Sequence, residues 1–570
     1  DLSNSPDAGD DDWPTSTITQ LRLDFDQASG SAFRVRSVKV GHIATAEDAT
    51  GTAKCFNTIS TCQDLPNFQP DTATLRFTEP SALPMLSVEA IPNVRSLNYT
   101  GGRINPGKDL GDRSVLRLVL GDHPHSDVGP GYDKYHAERP FDPYTQGTWA
   151  GKLRARQPYI RGAAVRWYLG YADQSLEEME VRHYVVESFD GPNVDGTYTL
   201  VAVDPLKMMD GDRSQAPRVN TGRLSATLGD SATLCTLTPA GIGDLQYAAS
   251  GKLAIAGSEA VTFTRSGDSL TITRGQLNTS TIEHDAGDRV QTVLEYISMD
   301  PADILYDLIV NYTPIPASYI PLEEWQEETA TYLRREYTAR IAEPTPVAQL
   351  VAELMRDCGL SIWWDDLAAK IRLRVLRPLA VSGVAFDDGN ILEGTFTRKE
   401  QPDKRVSQVW VYFAQRNPLA GLEDNDNYQQ VAVTADGDSE ANFGTPSIRK
   451  IYSRWIPGGG QSAAERAGNL IIGRYATPPR LFTFQLMRDA QEAPRLGHSY
   501  ATAWLTEQNP DGSSQEVQGS IIRMAPGKTR FAVELEEERF ISLDAEDLNT
   551  RSITVNYDTL DVNMRAMHDE

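Results

Sequence analysis

Short runs in which apolar and polar residues alternate recur along most of this chain, and a period of two is what a strand with one buried face produces. The segments ITQLRLDF and FRVRSVKVG, between Thr17 and Val40, carry it. A turn-rich stretch, CFNTISTCQDLPNFQPDTATLRFTEP, interrupts the pattern with Pro and Asn and ends in a short strand around Leu75 to Phe77. VLRLVLG (Val115 to Gly121), AAVRWYLGY, VRHYVVESFD and GTYTLVAVDPL then predict a compact antiparallel unit. Residues 218 to 300 add KLAIAG, AVTFTR, SLTITRG and VQTVLEYI, joined by Gly-Ser, Gly-Asp and Ala-Gly-Asp turns.

The period changes at DPADILYDLIVNY. Asp300 caps, Pro301 starts, and Ile304, Leu305, Leu308 and Ile309 fall at helical spacing. TPVAQLVAELMRDCGLSIWWDD predicts a second helix: Thr345 caps, Pro346 starts, Val347, Leu350, Val351, Leu354 and Cys358 form one stripe, and Gly359 stops it. A hairpin follows, turning at Asp365 to Ala369. The last third returns to strands in RVSQVWVYFA, LFTFQLMR, the polar edge SYATAWLTEQ, EVQGSIIRMAPGKTRFAVELEEE and SITVNYDTLDV, with one helical interlude, SAAERAGNLIIGRYA. No fixed-period repeat appears.

At 570 residues the chain exceeds one ordinary core. The expected organisation is a flexible acidic arm (1–14), an N-terminal β region with a Cys-containing loop (15–140), a β module (141–217), an inserted small β domain (218–298), a helix-plus-β module (299–400), a second large β domain (401–545) and a C-terminal strand and tail (546–570). The fold class is β-rich α+β, multidomain. With 43 Gly and 33 Pro, turns are plentiful. Lys+Arg 54 against Asp+Glu 79 gives a net charge of -25, which argues against a nucleic-acid backbone as a direct partner. No apolar run is long enough for a membrane span, and DLSNSPDAGDDDWP lacks the basic-then-apolar order of a signal peptide. Four cysteines are too few to staple a chain of this size, so it is expected to be made in a reducing cytoplasm.

Candidate chemistry is sparse. ITRGQLNTSTIEHDAGDRVQ gathers His284, Asp285 and Asp288, but Ser280 and Thr281 on the same turn are badly placed as nucleophiles, and a turn in which Asp and Gly satisfy the backbone is the expected state. His123, His125 and His136 have the residue type for zinc; Pro124 and the absence of a matched Cys or carboxylate cluster favour a structural loop. Cys55 and Cys62 have three readings: buried small hydrophobes, a disulfide, or metal or iron-sulfur ligands completed by Cys235 and Cys358. Cys358 belongs to a helix stripe and is expected in a core, which leaves Cys55, Cys62 and Cys235 as candidate ligands. No Gly-x-Ser-x-Gly, phosphate-cradling Gly-Lys-Ser/Thr or His-Glu-x-x-His occurs. No catalytic residue is assigned and no enzyme is expected. The 9 Trp, 22 Tyr and many acids leave a carbohydrate-binding or glycan-hydrolysing β-protein as the alternative. It would need exposed aromatics beside a cleft, whereas Trp363, Trp364 and Trp410 are expected in cores.

FDPYTQGTWAGKLRARQPYIRGAAVRWYLGYADQ, followed by HYVVESFDGPNVDGTYTLVAVDPLKMMDGDRSQAP, resembles the N-terminal β module of baseplate hub proteins of long-tailed, siphovirus-like bacteriophages. The likeness rests on Arg161 and Gly162 and on the strand ending at Asp204 to Leu206. It continues through LTITRGQLNTSTIEHDAGDRVQTVLEY to IRLRVLRP, covering roughly Phe141 to Pro378, and more loosely to about Phe540. It implies tail-tube-like β-barrel or sandwich hub domains and a structural role for the turn with Arg274, Gly275, His284 and Gly287. It also implies a homotrimer that closes the tail tube, adapts six-fold tube to three-fold tip, and gates DNA release. The implied partners are distal tail and tube proteins, the tape-measure C-terminus, and other baseplate and receptor-binding proteins, with DNA only as traversing cargo. The implied location is the virion's tail baseplate. Some such hubs carry an iron-sulfur cluster, to which Cys55, Cys62 and Cys235 invite comparison. A receptor-binding tail-tip protein is the second alternative.

Overall fold

The computed structural model describes residues 34–47, 62–67, 69–85, 89–125, 142, 144–156, 160–171, 174–377, 382–387, 389–488, 494–538 and 550–556. The acidic arm, ITQLRLDF, Cys55 and His136 lie outside the described residues. The chain divides into two compact units: one holds Asp1–Gly101, Arg113–Pro205 and Asp365–Ala369, the other Gly102–Asp112, Leu206–Trp364 and Lys370–Glu570. The architecture is β-rich, in several sheets with few helices, as the alternation predicts.

Unit 1 is built on a seven-stranded sheet in the order Gln69–Thr78, Arg34–Glu47, Ala164–Tyr171, Glu180–Asp190, Thr197–Val203, Val115–Gly121, Val94–Thr100. Every pairing is antiparallel. Alternate residues point to one face, so Leu116, Leu118, Leu120, Val165, Trp167, Tyr184, Val186 and Leu200 form a single core. The short helix Trp149–Arg156 covers it through Trp149, Ala150 and Leu153. The Trp149 ring meets Phe77 edge-on at 5.7 Å. Each such side chain contributes about 1.5–3 kcal/mol by leaving water.

In unit 2, six short strands form the sheet Arg223–Leu224, Leu234–Thr238, Ser269–Gln276, Glu259–Ser266, Ser250–Ile255, Val290–Thr292. Its two ends meet: Arg223 bridges Arg289, and Val290 N donates to Gly222 O at 3.0 Å. The result is a small closed barrel filled by Leu224, Leu237, Leu253, Val261, Phe263, Leu270 and Ile272. VQTVLEYI, expected as one strand, divides at Val293: Val290–Thr292 stays with the barrel and Leu294–Met299 pairs with Tyr337–Ile341.

The helix Pro301–Tyr312 begins as its sequence dictates, with the Asp300 side chain accepting from Ala302 N. The helix Val347–Cys358 has the expected buried stripe and ends at Gly359, φ 67°, where a Cβ would lie 2.6 Å from Leu470. Its start differs from expectation. Thr345 Oγ1 donates to Glu343 O, Thr345 and Pro346 pair with Ala216 and Gln215, and Val347 N is satisfied by Ser214 O; the hydroxyl is engaged before it can cap. A helix without an obvious sequence signature, Leu322–Tyr332, is anchored by Trp325, whose indole N–H donates to Ile371 O at 3.0 Å.

Two further sheets complete unit 2. The eight-stranded one runs Ser382–Asp387, Ser499–Gln508, Ser514–Pro526, Arg530–Glu537, Arg480–Met487, Thr397–Glu400, with two short strands, Arg103–Asn105 and Asp109–Asp112, off that path. The stretch SYATAWLTEQ is therefore one strand in from the edge, because Ser382–Asp387 pairs parallel to it. The four-stranded sheet runs Ile448–Tyr452, Gln408–Gln415, Tyr428–Asp436, Thr550–Asn556. The helix Gln461–Tyr475 lies on it through small residues; Gly468 sits where a Cβ would meet Thr434 Oγ1 at 2.4 Å. Among the described residues no helix is long and apolar enough to cross a membrane.

Candidate functional site

The stretch with the most reactive residue types closes on a residue far from it in sequence. Glu259 opens the strand Glu259–Ser266 with its side chain fully enclosed. Arg274 reaches it with Nε at 2.8 Å from one carboxylate oxygen and Nη2 at 2.6 Å from the other. Gly275 N (2.9 Å), Ile282 N (3.3 Å) and His284 Nε2 (3.1 Å) complete the set. Burial alone pushes Glu259 up, but the Arg274 guanidinium and the three N–H groups outweigh it and hold the carboxyl at about 2. The turn beyond is as expected: Asp285 N donates to Asp288 Oδ2 at 3.0 Å, and Asp288 N to Asp285 O at 3.1 Å. Not foreseen is the burial of His284, whose backbone bridges Leu228 and whose ring is 1% exposed. Its ring faces two carboxylates, Glu259 and Asp288 (3.6 Å), and no hydroxyl or thiol hydrogen-bonds to it among the described residues. The arrangement is a clasp between strands.

Cys62 lies in unit 1 and accepts from Asp64 N at 3.4 Å, while Cys235 lies in unit 2, half-buried against the barrel core. Burial pushes the Cys235 thiol up to about 11, against a smaller pull from Arg274. A cluster ligand must be a thiolate. Cys358 is buried in its helix stripe, as expected, and burial raises it further. Among the described residues no group of three or more His, Cys, Asp or Glu is placed to hold a metal ion. His123 stacks on Trp149 at 5.9 Å and lies 6.0 Å from His125; Asp122 just before them accepts from His123 N and Ala150 N, fixing the loop to the helix Trp149–Arg156. Trp363, Trp364 and Trp410 are buried, as their strands predict.

Other charged side chains are also spent on one another inside the protein. Arg182, fully buried in unit 1, holds Glu180 at 2.6 Å and both oxygens of Asp366 at 2.8 Å, and Tyr184 donates to the same carboxylate at 2.7 Å. In unit 2, Glu536 accepts from Arg474, Lys404 and Gln401, and Arg480 pairs with Glu537 through two N–H groups at 2.8 and 2.6 Å. Glu180 and Arg182 are two residues apart on one strand, but the other partners lie far apart in the chain, so no short-range pattern announces them.

One buried carboxylate is poorly served. Asp357 is 1% exposed, and its Oδ2 has no hydrogen-bond partner among the described residues. Burial pushes it up to about 6, with Arg356 and Ser453 pulling down and Glu353 adding to the rise. A carboxyl raised in the folded state supports stability below its ordinary value of 3.8, and that support is lost as pH rises through about 6. Asp357→Asn is therefore expected to raise stability at pH 8 by about 2–3 kcal/mol and to leave it unchanged at pH 3.5. Amide hydrogen exchange along the helix Val347–Cys358 in both proteins at the two pH values checks this; an equal effect at both would refute the titration.

No protein-family model and no curated protein matches the chain. Several solved structures are similar to it. The prophage MuSo2 43 kDa tail protein from Shewanella oneidensis has 10% identity and a TM-score of 0.36, covering 78% of this chain and 97% of its own. A tail protein from Neisseria meningitidis MC58 has 10% identity and a TM-score of 0.34, covering 77% and 97%. The prophage tail protein gp18 from Listeria monocytogenes EGD-e has 8% identity and a TM-score of 0.30, covering 67% and 87%. All three are described as tail proteins.

Proposed function

We propose that this chain is the structural hub of a phage tail baseplate. In this reading three copies close the end of the tail tube, adapt its six-fold symmetry to a three-fold tip, hold the C-terminal end of the tape-measure protein, and open when host binding is relayed through the tip. The observation that carries it is the sheet of unit 1. Its outer strand Val94–Thr100 pairs on one side only among the described residues, and Arg95, Ser96, Asn98 and Thr100 are exposed along it. Identical copies that each present such an edge can join into a closed ring. The engagement of Glu259, His284, Arg182, Glu536 and Arg474 in mutual pairing supports a role without catalysis. The net charge of -25 suits a channel through which DNA passes without adhering.

Light scattering on the purified chain tests the copy number, and electron microscopy of tails tests the location. Three times the 62.9 kDa chain mass, with density at the distal end of the tube, is expected. A monomer missing from assembled tails would sink the proposal, and glycan hydrolysis by the pure chain would overturn its non-enzymatic part.

A further inference from the structure

Within unit 2, a cavity of about 30 Å³ lies where the hairpin of Leu360–Asp365 and Lys370–Val375 meets Gly497 and the strand Ser514–Pro526; Ser361, Trp363, Arg374, Gly497 and Ile521 border it. Leu376 N donates to Gly359 O at 2.8 Å, so two residues further into the hairpin Ser361 stands across from Arg374. Alternation puts Trp363 on the face of Ser361, and the Arg374 guanidinium lies over the Trp363 ring at 5.1 Å. Ser361 is 6% exposed, and its hydroxyl oxygen has no hydrogen-bond partner among the described residues. A protein interior seldom leaves a hydroxyl in that state. The cavity it borders exceeds the roughly 10–15 Å³ that one water needs.

The charges around this cavity do not balance. Arg377, in its wall, is matched by Glu328, which its Nη2 meets at 3.1 Å. Arg474 shares Glu536 with Lys404 and has Glu538, the one acid in the wall, at 3.9 Å from its Nη1. Arg374 has no carboxylate in contact among the described residues; its one hydrogen bond there runs from Nη1 to Gly497 O. Burial first, and Arg377 after it, disfavour the Arg374 charge, and Glu328 and Glu538 act on it only from further off. Four cations, Arg374, Arg377, Arg474 and Lys404, thus face three anions, Glu328, Glu536 and Glu538. A guanidinium does not give up its proton in a protein, and an uncompensated charge out of water is costly, so the deficit calls for one negative charge from outside the chain.

We propose that this cavity is a binding site for a single monatomic anion of halide size, chloride in ordinary salt, held by the Ser361 hydroxyl and the Arg374 guanidinium. The hydroxyl hydrogen turns into the cavity to donate, the guanidinium supplies the charge, and Gly497 O keeps the arginine in place. The small volume admits such an ion and shuts out polyatomic ones. Bound there, the ion ties the hairpin to the eight-stranded sheet. The inference does not depend on the hub reading, since it rests on the cavity, the unpartnered hydroxyl and the local charge.

The test is amide hydrogen exchange of the full chain over Leu360–Asp365 and Lys370–Val375, in sodium chloride, sodium bromide or sodium gluconate at one ionic strength. Chloride and bromide are expected to slow exchange about tenfold, saturably, and gluconate, too bulky to enter, to have no such effect. Equal exchange in all three salts would mean that water alone fills the cavity, and would overturn the proposal. Ser361→Ala takes away one donor and little volume, and is expected to raise the half-saturating chloride concentration about tenfold. Arg374→Met is expected to abolish the response; should it fail to fold, Ser361→Ala still decides. Lys399→Gln, on the exposed strand Thr397–Glu400, is expected to leave the response as it is. A chloride response that Ser361→Ala does not change would put the ion elsewhere on the chain and refute the site. In a crystal soaked in bromide, the anomalous peak is expected beside Ser361 Oγ and Arg374, and peaks at other places alone would refute it as well.

Discussion

Replacing Glu536 with alanine is expected to destabilise the eight-stranded sheet by about 3–5 kcal/mol, the usual cost of removing one partner from a buried charge cluster. Glu536 is fully enclosed and receives Arg474 Nη2 at 3.2 Å, Gln401 Nε2 at 3.2 Å and the Lys404 ammonium. Burial alone would raise its pKa, but Arg474 and Lys404 lower it on balance, so it is the anion that the surroundings are built for. Without it the guanidinium of Arg474, 2% exposed, loses its nearest carboxylate and faces the Tyr475 hydroxyl at 3.2 Å and the more distant Glu538 at 3.9 Å. Glu536→Leu combined with Arg474→Met and Lys404→Met removes the charges together and is expected to regain most of the loss, since apolar groups of similar volume replace a buried cluster at little cost. Unfolding of a chain with several cores is not all-or-none, so amide hydrogen exchange over Arg480–Met487 and Arg530–Glu537 is the appropriate measurement. If Glu536→Ala exchanges at the wild-type rate, the cluster is not the dry network described.

The second large effect is expected in the barrel. Glu259→Gln puts an amide N–H₂ where Gly275 N, Ile282 N or Arg274 donates, and removes the charge that Arg274 requires. The carboxyl is held at about 2 against an ordinary 4.5, so its contribution is about 3 kcal/mol. The sign follows from the depression: the contribution is complete above about 4.5 and drains away as pH falls toward 2. At pH 7 the Gly275 and Ile282 amides of the variant should exchange roughly a hundredfold faster than those of the wild type. That gap should narrow below pH 4 and close near pH 2. A gap that stays constant from pH 7 to pH 3 would mean that steric misfit, and not the lost charge, causes the damage.

The β-rich class was legible because alternation is a local signal: VLRLVLG and AVRWYLGY bury every second side chain in the core of unit 1 as written. The Asp300 cap was legible for the same reason, the donor and acceptor being two residues apart. Thr345 misled because its hydroxyl had a competing acceptor in Glu343 O, which no propensity foresees. SYATAWLTEQ looked like an edge because it is polar, yet edge position depends on whether Ser382–Asp387 pairs with it, and that is settled by chain tracing across the sheet. The clasp was half visible. Arg274, Gly275 and His284 stood out in one stretch, but Glu259 sits 25 residues before His284 on another strand and only pairing register brings them together.

The closure of the small barrel bears on how such a chain diversifies. Its path enters at Gly222 and its last strand starts at Val290, and those two residues are joined by a backbone hydrogen bond of 3.0 Å. A segment whose ends meet in this way can be lengthened, shortened or exchanged during descent while the host chain keeps its course, because the host sees the same two points in either case. The barrel is thus a part of the chain whose length can change at small cost to the rest.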